Sequence, residues 1–451
     1  MLCLTDIIRD DDPSVQRLLH MMDTTCSLTA LILAAWQVAR VLALQVVEAI
    51  LAARAREPTV WPPCPACGTL LQSKGFAPRQ VLSVLGPIRW HRRVGRCPQG
   101  CPGSQGVPFD EALGLQPQQR TSHELQHLGS ALAVFVPFAT AATLLRLTCG
   151  VAVSPRAVWK WVQRAGQRAM TALHAQLQAV EAGDLPPAEP LAADLAALPL
   201  VLGADGVMVP FRPAGGDPKG TTAWHEVKVG ILARLGRHCT RTGQVVVRLR
   251  QRRLVAVLGG IEALQQRLWL AALRQGLREA PQVVWLSDGA RGLWRIFEGR
   301  FKTSARGILD LYHAAQQLWK GAAPWLDGRT SHAKQWFDGA RHRVRHGDPE
   351  GVLADLAAAV EREDLPATVR ETLSTVAAYV ARHRDHSNYE AYKALGLPLG
   401  SGMVESACKW LIQQRFKGVG MRWSAEGFHH LLHLRLAWVN GTFEALFQIQ
   451  G

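Results

Sequence analysis

Three carboxylates in this chain of 451 residues sit where they could do chemistry. Asp205 and Asp288 closely follow short apolar runs at 198–203 and 283–286, and a glycine comes directly after each. Glu405 follows Gly400-Ser401-Gly402 and leads into a helical run, Ser406-Ala407-Cys408-Lys409, with Ser401 expected to cap that helix. An Asp-Gly pair by itself is first a turn signal, and either aspartate alone reads that way. All three together, in the order Asp, Asp, Glu, make a set of hard oxygen ligands suited to Mg²⁺ or Mn²⁺. Phosphodiester chemistry uses two such ions about 3.5 to 4 Å apart, one activating a hydroxyl or water and one stabilising the leaving oxygen.

A second constellation is built from sulfur. Cys64-x2-Cys67 and Cys97-x3-Cys101 form two close pairs, each beside turn residues: Pro65, Gly68, Gly100 and Gly103. Two such pairs match the tetrahedral demand of structural Zn²⁺, which would staple a module too small to fold alone. Buried free cysteines are the alternative. The remaining five, Cys3, Cys26, Cys149, Cys239 and Cys408, are scattered and read as core residues, and no disulfide framework is expected.

These groups must be positioned by elements of several kinds. Residues 1–57 read as helices, with apolar positions such as Ile32, Trp36, Leu42, Val46 and Ile50 recurring at helical spacing. The apolar stretch 28–53 carries Gln37, Arg40, Gln45 and Glu48, which points to a packing or dimer-forming helix rather than a membrane span. Asp6, Arg9 and Asp10 to Asp12 occupy the place of a secretory start, so a cytoplasmic location is expected. The zinc-binding module is expected over 58–121, with short strands near 81–84 and 88–94. Over 122–182 an apolar helix, a turn at Gly150 and a helix opened by Ser154-Pro155 suggest a helix-turn-helix. Its second helix would offer Arg156, Lys160 and Arg164 to DNA, with Gln163 and Arg168 beside them.

A Pro- and Ala-rich linker, 183–197, precedes an α/β stretch over 198–326. Strands are expected at 198–203, 227–233, 245–249, 282–286 and 308–311, with helices between the later ones. Residues 327–395 read as an all-helical insertion, and 396–451 as the final helices carrying Glu405. Near that glutamate Lys409, Arg415, Lys417 and Arg422 interleave with Trp410, Phe416 and Trp423, a pattern able to grip phosphates and stack on an unpaired base, or else to divide into core and solvated face. Arg248, Arg250, Arg252 and Arg253 form a further basic edge. The excess of 51 Lys and Arg over 36 Asp and Glu, a net +15, favours a polyanionic partner and says nothing about a reaction.

Seven ordered segments resemble one family. They are Val107-Pro108-Phe109-Asp110 with Leu113-Gly114-Leu115, Ala204-Asp205-Gly206 with Val209-Pro210, Glu226-Val227-Lys228-Val229-Gly230, Ser287-Asp288-Gly289-Ala290, Ile308-Leu309-Asp310-Leu311-Tyr312-His313, the run Gly400 to Lys409, and Lys417-Gly418-Val419-Gly420-Met421-Arg422-Trp423. Together they resemble the ISKra-type bacterial insertion-sequence transposases, related more distantly to the Mutator-like superfamily. That resemblance implies an RNase H-like core with Asp205, Asp288 and Glu405 as metal ligands, acting on double-stranded DNA at transposon ends and target. It also implies that Asp310 and His313 match an Asp-x-x-His element close to the active site; ordinary strand-end and helix-start hydrogen bonds are the alternative. Arg291-Gly292-Leu293-Trp294 departs from the family, which has an aromatic residue nearer Ala290.

The expected reaction is hydrolytic nicking followed by strand transfer. At least a dimer is expected, since two ends must be held together. A DNA-binding regulator that has lost catalysis, and a nuclease that cuts without joining, remain compatible with the same residues.

Overall fold

The computed structural model describes residues 13–24, 27–213 and 220–447. Cys3, Cys26 and the acidic run at 10–12 lie outside the described residues. The chain divides into two compact units, one formed by Met1–Ala165 with Phe447–Gly451 and the other by Gly166–Leu446. The division falls inside the helix Pro155–Glu181, rather than at the linker expected over 183–197. That linker is tied into the second unit: the Glu189 amide donates to the Arg274 carbonyl at 2.7 Å, and its carboxylate pairs with Arg253.

In the first unit, the helices Pro13–Thr24 and Leu28–Arg56 precede a hairpin of β1 (Gln72–Ser83) and β2 (Gly86–Arg96), longer than the expected short strands. The helix Leu28–Arg56 is long and apolar enough to cross a membrane by length and composition. Its second half is committed elsewhere. Val47 and Leu51 pack with Val81, Ile88 and Trp90 of the hairpin, and Glu48 accepts from the Arg89 amide at 2.7 Å. Its first half leaves Leu28, Ile32, Leu33 and Trp36 exposed.

Asp110, buried in the short helix Pro108–Ala112, accepts from Arg92 Nε at 3.2 Å and lies 3.7 Å from Arg79 Nε. Two strand arginines thus fasten that helix to the hairpin. The helices His123–Phe135 and Phe138–Cys149 follow; Gly150, at φ 66°, ends the second in the left-handed region that glycine adopts freely. Ser154 Oγ then accepts from the Ala157 amide at 3.1 Å and caps the helix Pro155–Glu181, as its sequence predicts.

The second unit is a mixed α/β layer structure. Its five-stranded sheet runs β5-β4-β3-β6-β7, with β3 (Leu200–Phe211), β4 (Ala223–Cys239) and β5 (Val245–Leu258) antiparallel and β6 (Val283–Ser287) and β7 (Arg306–Leu309) parallel to β3. The first three strands are much longer than the apolar runs that announced them. Alternation splits the sheet between two cores. Leu200, Leu202 and Ala204 face the helix Ile261–Arg274 and the aromatic cluster Trp285, Trp294, Phe297 and Phe301. Val201, Val284, Leu286 and Ile308 face the helices Ser331–Arg345, Pro349–Val360 and Ala367–His383. These three helices are therefore one of the sheet's two covers.

Candidate active site

The strand register brings the aspartates into line. Ala204 pairs with Ser287, and Ser287 with Leu309, so the next residue on each parallel strand, Asp205, Asp288 and Asp310, continues one row across the sheet. The Asp310 amide donates to the Ser287 carbonyl at 2.9 Å and holds that row together. Asp288 and Asp310 lie just past the carboxyl ends of β6 and β7, where open α/β sheets keep their ligand crevices. Asp205 lies inside β3, opposite Val229, and is not a turn residue.

Glu405 reaches this row through a close approach. A Cβ on Gly203 would lie 2.6 Å from Val404 Cγ2 and 3.0 Å from Met403 Cε, so only glycine lets the helix Gly402–Ala407 settle on β3. Gly203 and Asp205 share a strand face, which puts Glu405 beside Asp205. Burial raises the Asp205 carboxyl above its usual range, and the charges of Asp288 and Glu405 raise it further, against the Gly206 amide that lowers it. A carboxylate raised by two carboxylate neighbours, with His313 alone among nearby charges to lower it, fits a site for cations. The three carboxylates stand within electrostatic reach of each other; the cysteine cluster is the group among the described residues whose ligand atoms all lie within 4.8 Å.

Asp310 and His313 play different parts. The Asp310 carboxylate, 1% exposed, accepts from the Tyr312 and His313 amides at 2.6 and 2.9 Å, capping the helix Leu311–Leu326. Its other oxygen accepts from the Ser401 amide and hydroxyl, both at 2.5 Å. Burial would raise this carboxyl, but the hydrogen bonds from His313 and Ser401 hold it well below the usual range. Asp310 thus ties the end of β7 to the loop that launches the Glu405 helix. Ser401 stands at the N-cap position of that helix but makes no side-chain capping hydrogen bond; its hydroxyl donates to Asp310. His313 Nδ1 lies 3.5 Å from Asp310, and the imidazole is raised by that contact and by the charges of Asp288 and Asp205.

Several neighbours escaped the sequence reading. The Trp294 indole Nε1 donates to the Asp288 carbonyl at 2.6 Å. Asp288 Oδ1 accepts from the Ala290 amide at 3.0 Å, so its turn role is real and leaves the second oxygen for other work. Tyr379, from the helical insertion, lies over Gly289, where a Cβ would come within 2.0 Å of the ring. Cys408 is buried beside the row, its thiol pushed up to about 12 by burial and then by Asp205 and Glu405. It begins a π-helical turn, Cys408–Gln413, of a kind frequent at functional sites.

The basic residues sort by exposure. Lys409, Lys417 and Arg422 are exposed, with Lys417 over the Trp224 ring at 5.6 Å and Arg422 donating to the Gly220 and Thr221 carbonyls. Arg415 corrects the expectation of a DNA contact. It is 2% exposed, stacks over Trp423 at 5.4 Å, and burial with the nearby Arg435 lowers it to about 10. Phe416 is likewise core, while Trp410 stays 40% exposed. Arg253 leaves the expected basic edge to pair with Glu189. In the first unit, Arg156, Lys160 and Arg164 form an exposed stripe four residues apart, opposite the buried Val158, Trp161 and Val162.

Cys64, Cys67, Cys97 and Cys101 converge as their spacing predicts, with Cys67 and Cys97 Sγ 3.5 Å apart. Gly68 and Gly100, both at positive φ, make the two turns. Hydrogen bonds from Thr69 pull the Cys67 thiol down to about 6, supplying thiolate character to a group that can hold one metal ion. All described cysteines are free thiols. Cys239 is exposed and Cys149 partly so, against the core role expected for them.

No protein-family model matches the chain. A Streptococcus gallolyticus protein described as "UPF0236 protein in vanSb 3'region" is 24% identical over 377 residues, covering 82% of this chain and 74% of that protein. Among solved structures, the Drosophila P element transposase strand transfer complex aligns over 75% of this chain and 83% of its own at 10% identity, with a TM-score of 0.25. A likeness that slight supports no argument about fold or function.

Proposed function

We propose that the chain is a DNA transposase of the three-carboxylate kind, cutting and joining DNA with Asp205, Asp288 and Glu405 as metal ligands on an RNase H-like core. The observation that carries the reading is the row of Asp205 and Asp288 across parallel strands with Glu405 brought alongside by the Gly203 contact. The strand order, three antiparallel strands followed by two parallel to the first, supports the RNase H-like assignment. The insertion-sequence type rests on the seven sequence segments alone.

Two Mg²⁺ or Mn²⁺ ions, when bound, would supply an activated hydroxyl and charge stabilisation at the leaving oxygen. The chain's own groups do the rest. Asp205, Asp288 and Glu405 hold negative charge at one edge of the sheet, and Asp310 fixes the Ser401 loop so that Glu405 starts from one position. His313, raised by its acidic neighbours, offers a proton donor at the rim for a phosphate oxygen. Lys409, Lys417 and Arg422 give the exposed cationic surface that a DNA backbone needs. In the first unit, the Arg156, Lys160 and Arg164 stripe would read transposon ends, and a structural Zn²⁺ would sit on the four cysteines. The protein would work in the cytoplasm, as a dimer or larger assembly holding two ends.

The test is strand cleavage and joining on a labelled duplex carrying the element's own end, with Mg²⁺ or Mn²⁺, for the intact protein and Asp288→Ala. Metal-dependent cut and joined products absent from the variant are the expected result. Equal end binding by both proteins with no cleavage by either would replace the enzyme with a DNA-binding regulator.

A further inference from the structure

The second unit holds a cavity of about 410 Å³ whose lining includes none of Asp205, Asp288, Asp310 or Glu405. Its walls come from the end of the helix Pro155–Glu181, the edge strand β5, the helix Ile261–Arg274 and the helix Ala425–Val439. Small and aliphatic side chains, among them Ala172, Leu173, Leu270 and Leu436, make most of the lining. Such a size and texture are usual for sites that take small organic molecules.

The polar groups in the wall are not all accounted for. Arg253 is satisfied by Glu189 and by the Asn440 carbonyl. The Asn440 amide in turn closes the edge of β5, accepting from the Leu254 amide at 2.9 Å and donating to its carbonyl at 2.8 Å. Arg267 gives one hydrogen bond, to the Ala263 carbonyl at 2.9 Å; its Nε is buried without a partner, and burial lowers it with no carboxylate to offset the cost. Arg274 lies two turns further along the same helix side. His433, 4% exposed, hydrogen-bonds the His429 carbonyl through Nδ1 at 2.7 Å and leaves Nε2 buried without a partner. The charges that weigh most on that imidazole are those of Arg267, His429 and His174, all of them basic. A half-buried cation with an unpartnered N–H, and an imidazole nitrogen free to take a proton, beside an apolar cavity call for a ligand that brings both a negative charge and an apolar body.

We propose that this cavity binds a small amphiphilic anion, a carboxylate on an apolar chain, with Arg267 and His433 receiving the head group and the alanine and leucine wall the tail. His433 donates to the head group through Nε2 once it takes up a proton from solvent, its Nδ1 staying on the His429 carbonyl. Arg274 stands at the same side as a second cation. The site uses none of the carboxylate row and does not depend on the transposase reading.

Titration calorimetry of the full chain with decanoate tests it, beside uncharged decanol and the variants Arg267→Met and Ala172→Phe, each checked for native circular dichroism. One decanoate per chain is expected, with affinity at least about tenfold weaker in Arg267→Met, as loss of a charge-assisted contact implies. Ala172→Phe, which fills the cavity, abolishes binding. Where Arg267→Met does not fold, Arg274→Met takes its place with the same expectation. No saturable binding by the native chain, equal binding by the variants, or decanol binding as tightly as decanoate would overturn the proposal.

Discussion

The hairpin module of the first unit and the five-stranded sheet of the second organise their reactive groups by opposite means. Around the hairpin the apolar clusters are small, Leu51, Val81 and Trp90 in one and Cys64, Leu71 and Cys97 in another, and the cysteines are themselves part of the core. In the sheet, two large cores lie on opposite faces, and neither includes Asp205, Asp288 or Glu405. In the first unit chemistry holds the fold; in the second the fold holds chemistry.

Removing the staple is the strongest way to break that contrast. With zinc on the four cysteines as proposed, Cys97→Ser or a strong chelator is expected to release it and unfold residues 58–121, because metal binding of about 10 kcal/mol or more is folding free energy in modules this small. Hydrogen exchange should show the loss confined there, with the sheet strands still protected. Exchange spreading equally into β3 and β6 would erase the distinction.

The opposite pattern is expected of Asp205→Asn. Cleavage should fall at least about a thousandfold while thermal stability in the absence of metal holds or rises, since a carboxylate repelled by Asp288 and Glu405 has been neutralised. A substantial drop in melting temperature would mean that the sheet depends on its site after all.

Two buried carboxylates sharpen the comparison at intermediate size. Asp310→Ala is expected to cost about 3 kcal/mol in denaturant unfolding, as it strands the Ser401 amide and hydroxyl and uncaps the helix Leu311–Leu326. Asp110→Ala, which leaves Arg92 and Arg79 without their shared partner, should cost about 2 kcal/mol and act on the hairpin unit alone.

Acid gives a graded effect. His433 is lowered from 6.5 to about 4 by burial and by the Arg267 charge, so the fold favours its neutral form and its contribution is complete above the unfolded value. That stability is lost as pH falls through the window from 6.5 to 4, amounting to at most about 3 kcal/mol. His429 and His430 are shifted in the same direction, also chiefly by burial. Melting curves over that range should show the second unit weakening, and His433→Gln should flatten the dependence.

Much of this was legible in the residues. Cysteine spacing located the four-cysteine cluster, because two close pairs on turns leave little freedom. Ser154 and Pro155 marked their helix start, and the apolar runs located all five sheet strands. Strand lengths were missed: β3 continues through Asp205 and Gly206 to Phe211, since pairing with β4 on one side overrides the local turn signal of Asp-Gly. The fate of Arg415 and the division inside the helix Pro155–Glu181 were invisible for the same kind of reason. An arginine between Gln414 and Phe416 reads the same whether its helix face meets solvent or Trp423.

By itself the sequence determined the candidate metal ligands and their order, because those follow from side-chain chemistry and spacing. Only the tertiary structure decided that Asp205, Asp288 and Asp310 form one row, that Gly203 admits the Glu405 helix, and that Asp310 serves the Ser401 loop. Those relations depend on register and on close approach between segments up to some two hundred residues apart in the chain, and no local pattern encodes either.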